Sequence, residues 1–282
     1  YAKDVSDCAH LAKEFSKDVL VIVGGAHVSI EPQNTLTDKN IDIVVKGEGE
    51  NTFLEIIQRL DKDENVFNVA GTTSQKDGKI FLNPPRPFIR NLDDIPMPAY
   101  HLLDLKAHLD FFISTEKYNM RHPHMEVVSS RGCPGRCAFC SIHSVWGNAW
   151  RGRSAKNVVD EIELLVKKYD IGEIAFLDDN FSLDKKRAFE ICQEIIDRKL
   201  NIKWCTPNGV ALLTLDEKLI RKMKESGCYR LTFGIESGSN RIQKFIGKSI
   251  DISRAKSVIK FCNRIGLLTS CTFILGFPEE NQ

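Results

Sequence analysis

Five short apolar runs, at residues 126–130, 173–177, 202–206, 230–235 and 269–275, alternate with stretches of helical period and confine the second part of the chain to few folds. Val158, Val159, Ile162, Leu165, Val166 and Tyr169 form one helix face after Ser154; Ala188, Phe189, Ile191, Cys192, Ile195 and Ile196 form another after Asp184. Leu219, Ile220 and Met223 begin a third, which Gly227 stops. Strand, helix, strand, repeated, predicts a parallel sheet. Right-handed crossovers curl such a sheet toward a barrel, and ligands then collect at the carboxyl ends of its strands.

The polar motifs obey that rule. A cysteine-rich loop follows the first run, Asp178-Asp179-Asn180 the second, Thr206-Pro207-Asn208-Gly209 the third, Glu236-Ser237-Gly238-Ser239 the fourth and Gly276-Phe277-Pro278-Glu279 the fifth. Singly, each reads as a helix cap or a turn. Five on one rim beside a cysteine triplet read as a site. Within the first loop Cys133, Cys137 and Cys140 have C-x3-C-x2-C spacing, three soft thiolates in eight residues. Structural zinc takes four N or S ligands, usually as separated pairs. No second C-x2-C pair follows here. A four-iron cubane normally takes four cysteines, so a set of three leaves one iron with an open position where a substrate or cofactor binds. The other six cysteines (Cys8, Cys192, Cys205, Cys228, Cys262, Cys271) read as ordinary members of apolar elements.

Composition removes other classes. The 282 residues carry a formal net charge of +1, which gives no general electrostatic reason to expect nucleic acid. No apolar run reaches the roughly 18 residues of a membrane span. Nine cysteines without a signal-like N-terminus point to a reducing, cytoplasmic setting. The chain opens at Tyr1 without Met and stops just after an apolar run, so it reads as a fragment.

Upstream, the β-branched run 19–23 ends in Gly24-Gly25, and a second run, 41–45, ends in Lys46-Gly47-Glu48-Gly49, with a short helix expected near 32–37 between them. Residues 50–60 place Phe53, Leu54, Ile57 and Leu60 on one helix face, with Asn51 as cap. Runs 69–74 and 79–82 flank Lys76-Asp77-Gly78, a tight hairpin turn. A first domain therefore closes at residue 82. Residues 83–124, with Pro84, Pro85, Pro87, Pro96 and Pro98, read as an extended linker carrying the pair Phe111-Phe112 and the histidines His122 and His124, which read as surface or packing groups. Residues 125–282 are the barrel. The whole is an α/β chain.

From residue 126 onward the sequence resembles the radical S-adenosylmethionine (SAM) family. In that family the C-x3-C-x-Φ-C loop, here Cys133, Cys137, Phe139 and Cys140, holds a [4Fe-4S] cluster whose open iron is chelated by the amino and carboxylate groups of SAM. The resemblance implies that Phe139 covers the adenine side and that Asp178, Asp179 or Asn180 meets the SAM amino group. It implies that Glu236 bonds the ribose hydroxyls and that residues 274–276, ending at Gly276, line the adenine. Asn208 and Ser237 rank next. Arg153 could fork onto the SAM carboxylate or be a solvated turn cation; His143 and Trp146 read as loop packing. The implied reaction begins when a reduced cluster passes one electron to SAM, cleaving it to methionine and a 5′-deoxyadenosyl radical that takes hydrogen from an unreactive C–H bond. Flavodoxin or ferredoxin is the implied electron donor, and the substrate a small molecule.

Residues 1–82 resemble the distal part of the Rossmann-like cobalamin-binding domain found in the cobalamin-dependent subfamily, which includes anaerobic magnesium-protoporphyrin ester cyclases and radical methyltransferases. The fold implied is a partial Rossmann-like domain followed by a truncated parallel β/α barrel. The doubled glycine at Gly24-Gly25 would let the cofactor's nucleotide tail approach the backbone. The subfamily's cobalt-ligand signature, D-x-H-x-x-G, is not in this sequence: either it lies upstream or this protein lacks the lower ligand. Two rival readings stand beside this one, a radical SAM enzyme with a cobalamin-free relic domain and an iron–sulfur electron-transfer or sensing module.

Overall fold

The computed structural model describes residues 2–105, 107, 109, 119–248, 250–278 and 280. Phe111, Phe112 and Glu279 lie outside the described residues. The chain divides into two compact units, residues 1–90 with 141–147, and residues 91–140 with 148–282.

The first unit begins with helix α1 (Ala2–Phe15), strand β1 (Ile22–Gly24), and short helices α2 (Ala26–Ile30) and α3 (Pro32–Thr35). Strand β2 (Ile43–Val45), helix α4 (Glu50–Leu60) and strands β3 (Thr72–Lys76) and β4 (Lys79–Leu82) complete a sheet of order β1-β2-β3-β4. Its first pair is parallel and the next two antiparallel. The expected hairpin forms at Asp77 and Gly78, whose φ angles of 51° and 73° are those a tight two-residue turn demands. Ile43, Val45, Ile56, Val66 and Val69 make one small core, and Val28, Leu36, Ile41 and Val44 join another with Ala9.

Helix α4 departs from its expected face. Ile56 and Thr52 are its buried residues, whereas Phe53, Leu54, Ile57 and Leu60 are 39–54% exposed. Ile56 reaches the sheet core; the helix therefore sits rotated from the face its larger residues mark. Asn51 lies inside the helix, and Gly49 occupies the cap position. The single helical turn α5 (His143–Trp146), which carries both loop-packing candidates, also belongs to this unit.

The second unit is built on five parallel strands, β5 (His124–Val127), β8 (Glu173–Phe176), β9 (Lys203–Thr206), β10 (Cys228–Glu236) and β11 (Leu268–Phe273). They lie in the order β11-β10-β9-β8-β5, each crossover carrying at least one helix. Between β5 and β8 in chain order comes a separate two-stranded ribbon, β6 (Ser130–Arg131) with β7 (Arg151–Gly152). The helices are α6 (Ala155–Tyr169), α7 (Lys185–Asp197), α8 (Glu217–Glu225), α9 (Asn240–Phe245) and α10 (Ile252–Arg264). Ser154, Asp184, Asp216, Ser239 and Asp251 cap them, each side-chain oxygen accepting from a first-turn N–H. A missing cap of this kind costs about 1 kcal/mol.

The expected helix faces are the ones buried: Val158, Val159, Ile162 and Leu165 of α6, Ala188, Ile191 and Ile195 of α7, and Leu219, Ile220 and Met223 of α8 are all at most 1% exposed. Each such aliphatic residue contributes about 1.5–3 kcal/mol by leaving water. The aromatic rings of Phe176, Phe181 and Trp204 pack at centroid distances of 4.8–5.4 Å beneath the sheet. Gly227, at φ +103°, lets β10 enter beside β9, for a Cβ there would lie 2.3 Å from the Ile202 carbonyl oxygen. From residue 91 onward the proline-rich segment packs into this unit, burying Leu92, Tyr100 and Leu105. Tyr100 donates its hydroxyl hydrogen bond to Glu161 at 2.5 Å.

Candidate active site

A cavity of about 420 Å³ lies at the carboxyl ends of the strands of the second unit. Cys133, Cys137 and Cys140 line it, together with Phe139, Asp179, Asn180, Asn208 and Glu236. The cysteine loop leaves β6 through Gly132, at φ +83°, whose N–H donates to the Asp179 carboxylate at 3.2 Å. It turns at Cys140, whose N–H donates to the Cys137 carbonyl, and is fastened by the Ala138 N–H to the Ile246 carbonyl at 2.9 Å. Gly135 lies beside two of the thiols: a Cβ there would stand 3.4 Å from Sγ of Cys133 and 4.0 Å from Sγ of Cys137. Among the described residues, no three His, Cys, Asp or Glu side chains converge as ligands of a single ion. Burial pushes the Cys137 thiol above its ordinary pKa, and the nearby Lys248 ammonium opposes that shift. Of the other six cysteines, Cys192, Cys205, Cys228 and Cys262 are buried, but Cys8 and Cys271 are exposed, contrary to their reading as core residues.

The strand ends divide the expected residues. Glu236 closes β10 in a left-handed conformation, φ +64°, and its carboxylate accepts from Lys248 Nζ at 2.9 Å and from the Thr272 hydroxyl at 3.4 Å. Asn208 donates from Nδ2 to the Leu177 carbonyl at 2.9 Å. Burial raises the Asp179 carboxyl to a pKa of about 6, against the Gly132 N–H, which lowers it. Asn180 accepts from the Ala211 N–H at 3.3 Å.

Six expected residues lie outside the lining, four of them in the second unit. Asp178 is 1% exposed and turns inward, accepting from Ser129 N–H, Ser129 Oγ and Ser130 Oγ, each at 2.6 Å. Burial pushes its carboxyl up, while the Arg187 guanidinium opposes that. Arg153 is committed to α6: it donates to Asn157 Oδ1 at 2.7 Å and pairs with Glu161. Ser237 is spent within its own turn, accepting from the Ser239 N–H at 3.2 Å. Gly276, at φ +90°, donates to the Glu280 carboxylate at 2.6 Å, and β11 reaches the cavity through Thr272 instead. Gly24 and Gly25 belong to the first unit, at the end of β1. Gly25 has φ +113°, and no atom lies within 4 Å of where its Cβ would stand.

Sequence reasoning missed Lys248. Its ammonium, besides pairing with Glu236, stands 5.7 Å from the centroid of the Phe139 ring. Arg254 and Asp251 also border the cavity.

A parallel sheet with three thiols and a carboxylate around one cavity at its carboxyl ends has the chemistry suited to a thiolate-held metal group beside an organic ligand. The radical SAM superfamily profile matches residues 127–282, and the chain belongs to that superfamily. A B12 binding domain profile matches residues 2–57. The chain is 40% identical over 281 residues to the uncharacterized methyltransferase PH0819 of Pyrococcus horikoshii, covering 99% of this chain and 59% of that protein. It is 32% identical to the cytidylyl-2-hydroxyethylphosphonate methyltransferase of Streptomyces wedmorensis, over 98% of this chain and 56% of the relative. With the anaerobic magnesium-protoporphyrin IX monomethyl ester cyclase of Rubrivivax gelatinosus the identity is 31%, over 96% and 48%. The chain thus spans about half the length of the curated relatives it matches. The fold is shared with the radical SAM methyltransferase TsrM of Kitasatospora setae, at a TM-score of 0.79 and 18% identity, over 98% of this chain and 54% of that one. No helix of the described residues is long and apolar enough to cross a membrane.

Proposed function

We propose that this chain is the cofactor-binding core of a cobalamin-dependent radical SAM enzyme that transfers a methyl group to an unactivated carbon of a small molecule, or closes a ring there. The observation that carries the reading is the meeting of Cys133, Cys137, Cys140 and Glu236 around one cavity. The donor set fits a [4Fe-4S] cluster, since its three cysteines line one cavity and soft thiolates are the cluster's usual ligands. A volume of about 420 Å³ suits a nucleoside-sized ligand. When bound together, the cluster and SAM supply one-electron reductive cleavage and hydrogen-atom abstraction; the protein supplies binding, orientation and exclusion of water.

Each residue then has a part. The three cysteines hold the cluster and leave one iron for SAM. Glu236 accepts from the ribose hydroxyls, since one carboxylate can take both neighbouring OH groups. Asp179 and Asn180 face the amino group, Asn208 supports the nucleoside, and Phe139 covers the adenine side. The backbone at Gly24 and Gly25 would lie against cobalamin in the first unit, where Gly25 leaves its surroundings open. The matching of residues 2–57 to a B12 binding domain favours cobalamin over a relic domain. Relatives named as methyltransferases favour methyl transfer as the first reading, and one named as a cyclase supports ring formation as the second. A small cytoplasmic electron carrier, flavodoxin or ferredoxin, would reduce the cluster.

Anaerobic reconstitution with iron and sulfide, followed by dithionite and SAM, should yield 5′-deoxyadenosine, and the intact protein should show a corrinoid absorption spectrum. A Cys137→Ala variant that still formed 5′-deoxyadenosine would refute the site. Zinc in place of iron in the purified, oxygen-protected protein would refute the function.

A further inference from the structure

Lys248 stands where the cysteine loop and the end of β10 are tied together. Gln243, 2% exposed, donates from Nε2 to the carbonyls of Ile235 and Ser237, each at 2.6 Å, and accepts on Oε1 from the Ile250 N–H at 3.3 Å. The Lys248 N–H donates to the Gln243 carbonyl at 3.1 Å. On the other side, the Ile246 carbonyl receives the Ala138 N–H of the cysteine loop. Gly247, at φ +70°, packs so closely that a Cβ would lie 3.0 Å from the Arg136 carbonyl oxygen. This connection is therefore fixed to both halves of the site before any ligand arrives.

The side chain of Lys248 then crosses Gly234. A Cβ at Gly234 would stand 2.6 Å from Nζ of Lys248 and 2.6 Å from Oε1 of Glu236. Glycine in mid-strand marks a close approach of other groups to the backbone, and here what approaches is an ion pair. Glu236 has 9% of its side chain exposed and Lys248 22%, so the pair is shielded more than a surface bridge.

We propose that Lys248 is a positioning residue with two effects: it holds the Glu236 carboxylate in the geometry its ligand needs, and its positive charge, facing the cysteine loop across Phe139, favours the reduced state of the metal group held there. The inference rests on the function proposed above. The electrostatic effect follows from sign alone. One-electron reduction adds a negative charge to the cluster, so a cation within the same cavity raises its potential, and the weakly screened interior lengthens the reach of that charge. Lys248 borders the same cavity as Cys133, Cys137 and Cys140, so its charge lies beside the thiolates that would hold the cluster.

The test uses the full-length protein, reconstituted without oxygen, in the variants Lys248→Met, Lys248→Arg and Gly234→Ala. Two quantities are read: the dissociation constant for SAM by equilibrium dialysis, and the midpoint potential of the cluster by EPR-monitored titration with dithionite. Lys248→Met should weaken SAM binding about 10-fold or more and move the potential to more negative values, and Lys248→Arg should restore both. Gly234→Ala keeps the charge but separates the pair, so it should weaken SAM binding with a smaller change of potential. An unchanged potential and SAM affinity in Lys248→Met overturn the assignment, as does a Lys248→Arg variant impaired like the Met one. An EPR signal that ignores SAM in the unsubstituted protein removes the proposed function, and this assignment with it. A responsive parent with an indifferent Lys248→Met removes the assignment alone.

Discussion

Asp178 and Glu236 are both buried carboxylates at the ends of parallel strands, and their surroundings are opposite. Asp178 takes three hydrogen bonds from Ser129 and Ser130, while Arg187 donates to the Ser129 carbonyl and hydroxyl at 2.6 and 2.8 Å and to the Arg153 carbonyl at 2.5 Å. Every one of those donors comes from the fold itself. The carboxylate binds the end of β8 to the exit of β5 and the start of β6, from which the cysteine loop departs. Glu236 instead has one ammonium and one hydroxyl, sits in a conformation that non-glycine residues avoid, and faces the cavity. A buried charge satisfied by the protein serves structure, whereas one held in strain with capacity to spare serves a ligand.

The sharpest break between the two is in stability. Asp178→Ala leaves the Ser129 N–H and two hydroxyls without their acceptor and removes a carboxylate whose charge acts on the buried Arg187, and removing one member of a buried charged network costs about 3–5 kcal/mol. Urea titration of the oxygen-protected protein should show that loss, with cluster content falling along with it. A fully stable Asp178→Ala would mean that the carboxylate is a ligand group after all.

Glu236 should behave differently. Glu236→Gly relieves the positive φ but leaves the Lys248 ammonium without its carboxylate, so the two effects oppose and the loss of stability should be clearly smaller than in Asp178→Ala. SAM affinity, measured by equilibrium dialysis, should meanwhile fall about 10-fold or more, because a two-hydroxyl contact is lost. If Glu236→Gly destabilised the protein as much as Asp178→Ala, the contrast between the two carboxylates would vanish.

How far these roles could be read from sequence depends on the length scale of the signal. The parallel sheet was legible because residues 158–169 and 185–197 repeat apolar groups at helical spacing between β-branched runs, a pattern only crossovers satisfy. The rim was legible because the chain itself must place loops after strands. The division between Asp178 and Asp179 was not, since neighbours on an extended strand point to opposite sides and sequence does not say which side holds Ser129. For Arg153, read either as a ligand group or as a turn cation, the sequence also held Asn157 and Glu161, which lie four apart on one edge of α6, where the structure has Arg153 bonding to them from just before the helix. For Lys248 the clue was Gly234, a glycine inside an otherwise bulky strand, which announces that something must pass close by. What that something was depended on the path of residues 237–248, and no local pattern specifies it.

Asp179 offers the finest discrimination, because it shares features with both carboxylates. It is half-buried, accepts a backbone N–H from Gly132 and also lines the cavity. Its pKa in the fold is about 6, raised mainly by burial from the ordinary value of 3.8. An acid whose folded pKa is raised is ionised more readily in the unfolded chain, so its contribution to stability is lost as pH climbs from about 4 through about 6 and is fully gone by about pH 7. Asp179→Asn retains an oxygen for the Gly132 N–H and cannot ionise. The stability advantage of Asp179→Asn over the parent should therefore grow between pH 5 and pH 7 and level off beyond, in parallel thermal melts under nitrogen. If Asp179 faces the amino group of SAM, ionisation that weakens the fold should strengthen binding of that cation. SAM affinity of the parent should then rise a few-fold across the same interval, while that of Asp179→Asn stays flat. Parallel pH profiles in the two proteins would place Asp179 with Asp178, as a group that serves only the fold.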